Sequence, residues 1–334
     1  MLQRVVAAAP AGLPLTQRLA RGGLARIFGP PPLDAQAAPG DPGLFGPGSA
    51  SWGVIAEPAA IVGGVRGLLV QLLHPLAMAG VADHSAFRDD PLGRLHRTSA
   101  YVSTTTFGST PEALGAAAAV RRAHRRVAGT APDGRRYRAS DPALLAWVSM
   151  ALTSSFLATD RAYAPSPVGP ADADRFVAEQ ARAAALLDPR VDLDGLAADP
   201  DALASLRHGA LALPLLDDGV LPVTAAELDA AVAALRPELG LNAQGREALR
   251  FLLWPDLAPA LRAAYLPLLT GALAALEPWQ RRLLGLRLGP AAPAWRTQTR
   301  AVIGALRIGA GTSPALRLAA RRAAQGLDRH GAVD

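Results

Sequence analysis

His124 is the one polar residue on an otherwise apolar helix face. Pro111 suits the first turn of a helix, with Thr110 as its cap, and this start sets the phase of the face. At 100° per residue, the members of the face are Ala113, Ala117, Val120, His124 and Val127. An imidazole that faces a core needs partners for its ring nitrogens, because an unsatisfied buried polar group costs roughly 1 to 3 kcal/mol. A metal or a backbone carbonyl would serve, and the spacing leaves both open.

A second group of polar side chains precedes His124. Arg94, Arg97 and Thr98 stand at i, i+3 and i+4, so on a helix they project to the same side. Two guanidiniums and a hydroxyl suit an anionic or oxygen-bearing ligand, although a solvated helix face has the same composition. We therefore predict two helices joined near residues 108–111, with the arginine pair on the first and His124 on the second.

The composition removes several classes of chemistry. The chain has 334 residues, half of them apolar, so it is long enough to bury a large core. It contains no cysteine, which excludes disulfides, thiolate nucleophiles, iron–sulfur clusters and a thiolate-ligated haem. It contains no lysine either, so it has no phosphate-binding loop of the GKS or GKT type and no Schiff-base catalyst.

Two stretches of the sequence resemble a known family. They are GGVRGLLVQLLHPLAMAGVADHSAFRDDPLGRLHRTSAYVSTTTFGS and RRAHRRVAGTAPDGRRYRASDPALLAWVSMALTSSF, which begin at Gly63 and Arg121. Both are similar to the MpaB-type oxygenases, a group that includes the bacterial latex-clearing proteins. The similarity is strong from Trp52 to about Leu157 and weaker beyond. The resemblance implies an all-helical fold that binds haem b.

The resemblance also implies roles for individual residues. In that family the histidine of an R-x-x-H-x-x-V segment is the proximal iron ligand, and the matching residue here is His124. An Arg-x-x-Lys-Thr cluster lies on the distal side, where this chain has Arg94, Arg97 and Thr98. We predict His124 as the metal ligand and these three residues as the catalytic group.

Two residues depart from the family pattern. Arg97 replaces the lysine, and a guanidinium stays protonated, so it cannot ligate iron as a neutral amine would. Ser149 stands where many relatives have a histidine two residues after a tryptophan. The first departure means that any distal ligand comes from elsewhere, and the second bears on activity more than on fold.

Other histidines offer alternatives to His124. His84 lies in a D-H-S turn after an apolar segment, so it is the candidate for a distal ligand or for the proximal one instead. His74 precedes Pro75 and is expected to cap the helix break there, whereas His96 is expected to be exposed. A zinc site formed by residues 74, 84 and 124 stays open as well. Motifs for di-iron, zincin, serine-hydrolase and terpene-synthase chemistry do not occur.

The segment Pro58–Ala82 is the most apolar part of the chain. Its length suits a membrane span, but Arg66 and the break at residues 74–75 favour a buried helix pair. Small residues at 63, 64 and 67 would let a partner helix or a flat macrocycle approach the backbone closely. We predict Gly63, Gly64 and Arg66 as cofactor-binding residues, together with His124.

Proline and glycine set the domain organisation. Residues 1–50 are predicted as a helical arm followed by a Pro- and Gly-rich connection, and 51–330 as one haem-binding domain. Turn residues at 132–134 predict a small hairpin, and Pro142 begins a strong helix. The predicted fold class is all-α, a single large helical domain with globin-reminiscent packing around a central haem pocket.

These features predict a haem b-dependent oxygenase that uses O2 on an apolar substrate, with an isoprenoid as the candidate. The alternative is a non-catalytic helical protein that binds haem or a lipid. The net charge is +6, but the arginine clusters lack interleaved aromatic residues or a nucleic-acid-binding module, so no nucleic acid partner is expected. No uninterrupted apolar stretch of signal-peptide length opens the chain, which predicts a cytoplasmic protein with peripheral membrane contact left open.

Overall fold

The protein is almost entirely helical. The computed structural model describes residues 32–34, 36–85 and 91–325, except for the side chains of Pro91, Leu92 and Arg94. The predicted arm over residues 1–28 lies outside this part of the chain. Residues 36–49 form turns without regular structure, as their proline and glycine content predicts.

Sixteen α-helices and one two-stranded sheet follow one another in the described residues. The helices are α1 (Ala50–Ala56), α2 (Ala59–Gln71), α3 (Pro75–His84), α4 (Pro91–Phe107), α5 (Thr110–His124), α6 (Pro142–Tyr163), α7 (Pro170–Ala185), α8 (Leu193–Ala198), α9 (Pro200–His208), α10 (Pro214–Asp217), α11 (Ala225–Leu235), α12 (Ala243–Leu253), α13 (Pro259–Ala275), α14 (Pro278–Leu283), α15 (Ala292–Ala310) and α16 (Pro314–Ala324). The antiparallel strands are β1 (Ala128–Thr130) and β2 (Arg136–Arg138). The all-α prediction is confirmed, and the predicted hairpin is present.

Helix α6 is central because both of its sides are buried. On one side Met150 and Phe156 join an apolar cluster with α5, α7 and the short helices that follow. On the other side Trp147 and Ala151 join a cluster with α2, α12, α13 and α15. Pro142 opens the helix in its first turn, as predicted, because the proline there has no N–H to leave unpaired.

The predicted break at His74 separates α2 from α3. His74 is the N-cap of α3, and its Nδ1 accepts a hydrogen bond from the backbone N–H of Ala77 at 3.4 Å. Pro75 follows at the first helical position, where its missing N–H leaves no bond unmade. The predicted buried helix pair and the capping role of His74 are therefore confirmed.

Helix α2 lies antiparallel against α6 and approaches it most closely at two glycines. A Cβ built on Gly63 would stand 2.7 Å from Phe156 Cδ1 and from Thr159 Oγ1. One built on Gly67 would stand 2.8 Å from Leu152 Cδ2. Here the close neighbour of these glycines is a helix. A Cβ on Gly64, in contrast, would have no atom within 4 Å.

The two adjacent glycines of α2 give a matched test of this contact. Gly63→Ala is expected to lower the free energy of unfolding by about 1 to 3 kcal/mol, because the added methyl overlaps α6. Gly64→Ala is expected to leave it unchanged or raise it by up to about 1 kcal/mol, because alanine favours the helix and the space is open. Urea denaturation of both variants measures the difference; equal effects would contradict the packing described.

Helix α6 is also long and apolar enough to cross a membrane, as is the bent pair α1–α2 taken together. Of the most apolar 18-residue window of α6, 61% is buried inside the protein. A helix at the centre of a packed core has the same length and composition, so this property is weak support for a membrane location.

Candidate functional site

The predicted site residues lie on two helices that reverse direction at Gly108 and Ser109. Helix α5 begins with a capping box: Ser109 Oγ accepts from the N–H of Glu112, and a Glu112 carboxylate oxygen accepts from the N–H of Ser109 at 2.7 Å. The prediction that Thr110 caps this helix is therefore wrong by one residue. The hydroxyl of Thr110 instead donates to Asp41 Oδ1 at 3.0 Å.

Charged residues from distant parts of the chain hold this reversal in place. Asp41 accepts from the backbone N–H of Thr110 at 2.9 Å and forms an ion pair of 2.7 Å with Arg207. Arg322, from α16, is 1% exposed and donates from Nε to the backbone oxygen of Asp41 at 2.9 Å. The α4–α5 reversal is thus anchored from the preceding loop, from α9 and from the last described helix, which fixes the direction in which α5 runs toward His124.

His124 is the last residue of α5. Its side chain is partly buried, and its Nδ1 is fully buried without a hydrogen-bond partner among the described residues. Desolvation lowers the pKa of His124 below its ordinary value of 6.5, so the ring is neutral at pH 7. Ala113 and Ala117 on the same face are fully buried, whereas Arg122, Arg125 and Arg126 are exposed. The ring therefore has an unused nitrogen and no charge, which suits ligation of a metal.

The lowered pKa of His124 predicts an acid-sensitive fold. Because the folded-state pKa lies below 6.5, the unfolded chain binds more protons, so stability is lost as the pH falls from about 7 through the folded-state pKa. Thermal unfolding measured between about pH 7.5 and 5.5 should show this loss, and His124→Gln should reduce it. His74 is shifted the same way by burial, so part of the loss should remain in the variant. If the wild-type protein and His124→Gln lost the same stability over this pH range, the lowered pKa of His124 would be contradicted.

The predicted catalytic residues all belong to α4. The helix is continuous from Pro91 to Phe107, so Arg94, Arg97 and Thr98 have the one-sided spacing that the sequence predicts. Arg97 is exposed and Thr98 is partly buried, and each makes an interaction within the protein. The side chain of Arg94 lies outside the described part of the structure. Helix α4 packs against α5, which brings this cluster and His124 onto neighbouring helices.

His96 differs from expectation. The ring is partly buried, and its Nε2 is buried without a partner in the described residues, whereas the sequence predicts exposure. The reason is that α4 contacts α1, α5 and α16, so more than one of its faces is covered. The signal was present in the sequence, because His96, Ala100, Ser103 and Phe107 share one helix face that ends in a buried phenylalanine.

The other histidines have partners of their own. His84 is exposed, and its Nε2 lies 3.2 Å from the carbonyl oxygen of Ala128, to which a protonated Nε2 donates. The edge of the His84 ring contacts Tyr137, with ring centres 6.2 Å apart. His74 packs on Trp147 with ring centres 5.6 Å apart. Within the described residues no three His, Asp or Glu side chains are placed to hold a metal ion together.

The predicted cofactor-binding residues of α2 are divided between two environments. Arg66 is 1% exposed and donates to Ser155 Oγ at 2.8 Å, to Gln280 Oε1 at 2.9 Å and to the backbone oxygen of Ala275 at 3.1 Å. Gly63 lies against α6, as described above. Of the three residues, Gly64 is the one beside open space.

A haem would need fewer protein ligands than a metal held by side chains alone. A porphyrin supplies four nitrogen ligands, so the protein needs to supply one axial ligand, and a neutral histidine is a common one. His124 offers a partly buried, neutral ring with an unpartnered nitrogen. The described residues contain no three side chains that could hold a metal ion together, but haem does not need such a group.

Comparison with known proteins identifies a family for most of the chain. A family model described as the catalytic domain of the ER-bound oxygenase mpaB/B' and rubber oxygenase matches residues 52–308. Searches among curated proteins and solved structures found no match. The matched region contains α2 to α14 and therefore every site residue that the sequence predicts, whereas the anchoring residues Asp41 and Arg322 lie outside it. The chain belongs to the family of mpaB-type and rubber oxygenase catalytic domains, and its domain is of the oxygenase type.

Proposed function

We propose that this protein is a haem b-dependent oxygenase that uses O2 to oxidise an apolar substrate, with an isoprenoid as the candidate. The observation that supports haem is the unpartnered Nδ1 of the neutral His124 ring. His124 is the residue that the resemblance matches to the family's axial ligand. The family membership supports the oxygenase reaction class. Haem, when bound, would supply the redox chemistry.

The remaining residues would position and polarise the reactants. Arg94 and Arg97 bring two positive charges to α4, and Thr98 adds a hydroxyl on the same side. Guanidiniums and hydroxyls stabilise developing negative charge on oxygen by donating hydrogen bonds. Arg97 is also suited to pair with a haem propionate, because a guanidinium binds a carboxylate with two parallel hydrogen bonds.

An oxygenation assay tests this proposal. The haem-loaded protein is incubated with a reductant, isotopically labelled O2 and a short polyprenyl substrate, and the products are analysed by mass spectrometry. We expect carbonyl-ended products that contain the label, in excess of a control with free haem and of the His124→Ala variant. Product yields equal to those of free haem would contradict the proposed oxygenase activity.

One departure from the family favours the non-catalytic alternative. Ser149, which replaces the histidine of many relatives, is partly buried on α6 and cannot act as a base or as a metal ligand in the way an imidazole does. If the protein binds haem tightly through His124 yet yields no labelled product, a haem- or lipid-binding function fits better. Replacing Ser149 with histidine then tests whether this position accounts for the missing turnover.

A further inference from the structure

Helix α12 has one buried face and one basic face. The residues that it buries are Gly245, Ala248 and Leu249. Its outward face carries Arg246 and Arg250, one turn apart, and Trp254 follows four residues later at the helix end. These three residues lie on a single line along the helix surface. The guanidiniums of Arg246 and Arg250 come first, and the indole of Trp254 follows them.

Trp254 is 79% exposed, which is unusual for a tryptophan of this protein. The chain contains five tryptophans, of which Trp52 and Trp147 are buried and Trp279 and Trp295 are partly buried. An exposed indole keeps a large apolar surface in water and leaves its N–H free to bond to water or to a polar group. A tryptophan in this position suits the boundary between water and an apolar phase.

The start of α13 is fixed beside Trp254. Arg262 Nη2 donates to the backbone oxygen of Pro255 at 3.2 Å, and the hydroxyl of Tyr265 donates to the backbone oxygen of Leu252 at 2.9 Å. These bonds hold the exposed first half of α13 against the end of α12. Leu266, next to Tyr265, is 54% exposed.

We call Arg246, Arg250, Trp254, Arg262 and Leu266 the α12–α13 corner. It combines two large exposed apolar side chains, Trp254 and Leu266, with three exposed guanidiniums. In the described residues none of the three arginines forms an ion pair, and Arg246 and Arg262 each donate one hydrogen bond to a backbone oxygen. No described carboxylate therefore neutralises these three charges. Basic residues beside exposed tryptophan and leucine are typical of protein segments that lie at the surface of an anionic bilayer.

We propose that the α12–α13 corner binds the surface of an anionic membrane. Trp254 and Leu266 enter the headgroup region, and Arg246, Arg250 and Arg262 contact lipid phosphates. An acidic protein would meet the same arginines, but it would need a pocket for a protruding indole, whereas a bilayer accepts it without a matched surface. The inference stands apart from the proposed oxygenase function, because it uses no residue of the candidate haem site.

Vesicle binding of the full-length protein tests the proposal. Sedimentation is compared with vesicles of phosphatidylcholine alone and of phosphatidylcholine mixed with phosphatidylglycerol. We expect binding to the mixed vesicles that weakens as salt is added. Arg246→Ser combined with Arg250→Ser should weaken this binding about ten-fold or more at low salt, because each arginine near an anionic surface contributes on the order of 1 kcal/mol. Trp254→Ala should weaken it as well.

Trp254→Phe separates the location of the contact from the strength of binding. It should retain most of the vesicle binding but lose the blue shift and the protection from acrylamide quenching that the indole shows on mixed vesicles. A blue shift that persists in Trp254→Phe would overturn the proposal, because another tryptophan would then be the one that enters the membrane.

A matched control removes two exposed arginines from another surface. Arg122→Ser combined with Arg125→Ser changes the net charge by the same amount and should leave binding nearly unchanged. An equal loss in both double variants would overturn the proposal in favour of general charge attraction. Failure of the wild-type protein to bind mixed vesicles would overturn it too, and a dimer that Trp254→Ala dissociates would then assign the corner to a second copy of the chain. Unchanged thermal melts show that each variant is folded.

Discussion

Removal of the His124 imidazole is expected to abolish the Soret band of the haem-loaded protein or to shift it strongly. The ring is neutral at pH 7 because burial lowers its pKa, and its Nδ1 has no partner in the described residues. No cysteine is present, and position 97 carries an arginine where the family has a lysine, so neither a thiolate nor a lysine amine at that position can replace the imidazole. The absorption spectrum of His124→Ala after haem reconstitution measures the effect, with haem content determined separately.

The fold is not expected to depend on this imidazole. His124 is the last residue of α5, and the helix is anchored at its other end by the capping box of Ser109 and Glu112. His124→Gly should therefore keep its circular dichroism spectrum, and added free imidazole should restore part of the Soret band. A variant that loses both its band and its helical content would leave misfolding as the cause, and the imidazole rescue distinguishes the two.

Two control variants test the competing histidines. His84→Ala should leave the band unchanged, because the His84 ring is exposed and bonded to Ala128. His96→Ala is the sharper control, since Nε2 of His96 is buried without a described partner, as Nδ1 of His124 is. A band that survives His124→Ala and disappears in either control would move the axial ligand to that residue.

The elements of this fold were predictable where local chemistry specifies them. Proline can begin a helix but cannot continue one without loss of a hydrogen bond, so Pro75 and Pro142 marked helix starts that the structure confirms. The turn at Pro132–Gly134 likewise predicted the hairpin between β1 and β2. Each of these signals acts within a few residues, and none depends on a distant part of the chain.

The helix cap of α5 shows where local signals stop being sufficient. Ser109 and Thr110 are adjacent hydroxyl residues, and either can cap a helix whose first turn contains Pro111. The choice of Ser109 accompanies contacts of Thr110 with Asp41 and Arg207, which lie 69 and 97 residues away in sequence. A reading of the neighbouring residues alone could not include them.

Some features of the candidate site follow from local spacing, and others depend on distant parts of the chain. The apolar face that includes His124 follows from helical spacing, and the structure confirms that its first residues are buried. The partial burial of His96 agrees with the helix face that it shares with Phe107, but which other faces of α4 are covered depends on its contacts with α1, α5 and α16. The role of Arg66 depends on partners at positions 155, 275 and 280, and no spacing rule links them to α2.

Substitution of Arg66 by alanine is expected to lower the free energy of unfolding by about 4 kcal/mol, since each hydrogen bond from a charged donor is worth about 1.5 kcal/mol or more. Arg66 donates to a side chain of α6, to a side chain of α14 and to the end of α13. Its removal therefore breaks the hydrogen bonds that join α2 to these three helices. Such a change is a large part of the roughly 5 to 15 kcal/mol that stabilises a typical domain. Urea denaturation of the haem-free protein measures it.

Arg66→Met distinguishes a structural role from a cofactor role. Methionine keeps much of the volume and removes the cation, whose burial lowers the pKa of Arg66 to about 10 while Glu277 offsets part of that effect. If Arg66 serves mainly to join helices, Arg66→Met should recover roughly half of the stability lost in Arg66→Ala and leave haem affinity unchanged. If a haem propionate needs this guanidinium, Arg66→Met should bind haem more weakly even where the haem-free protein is stable. The three protein acceptors already satisfy the guanidinium, so we expect the first result.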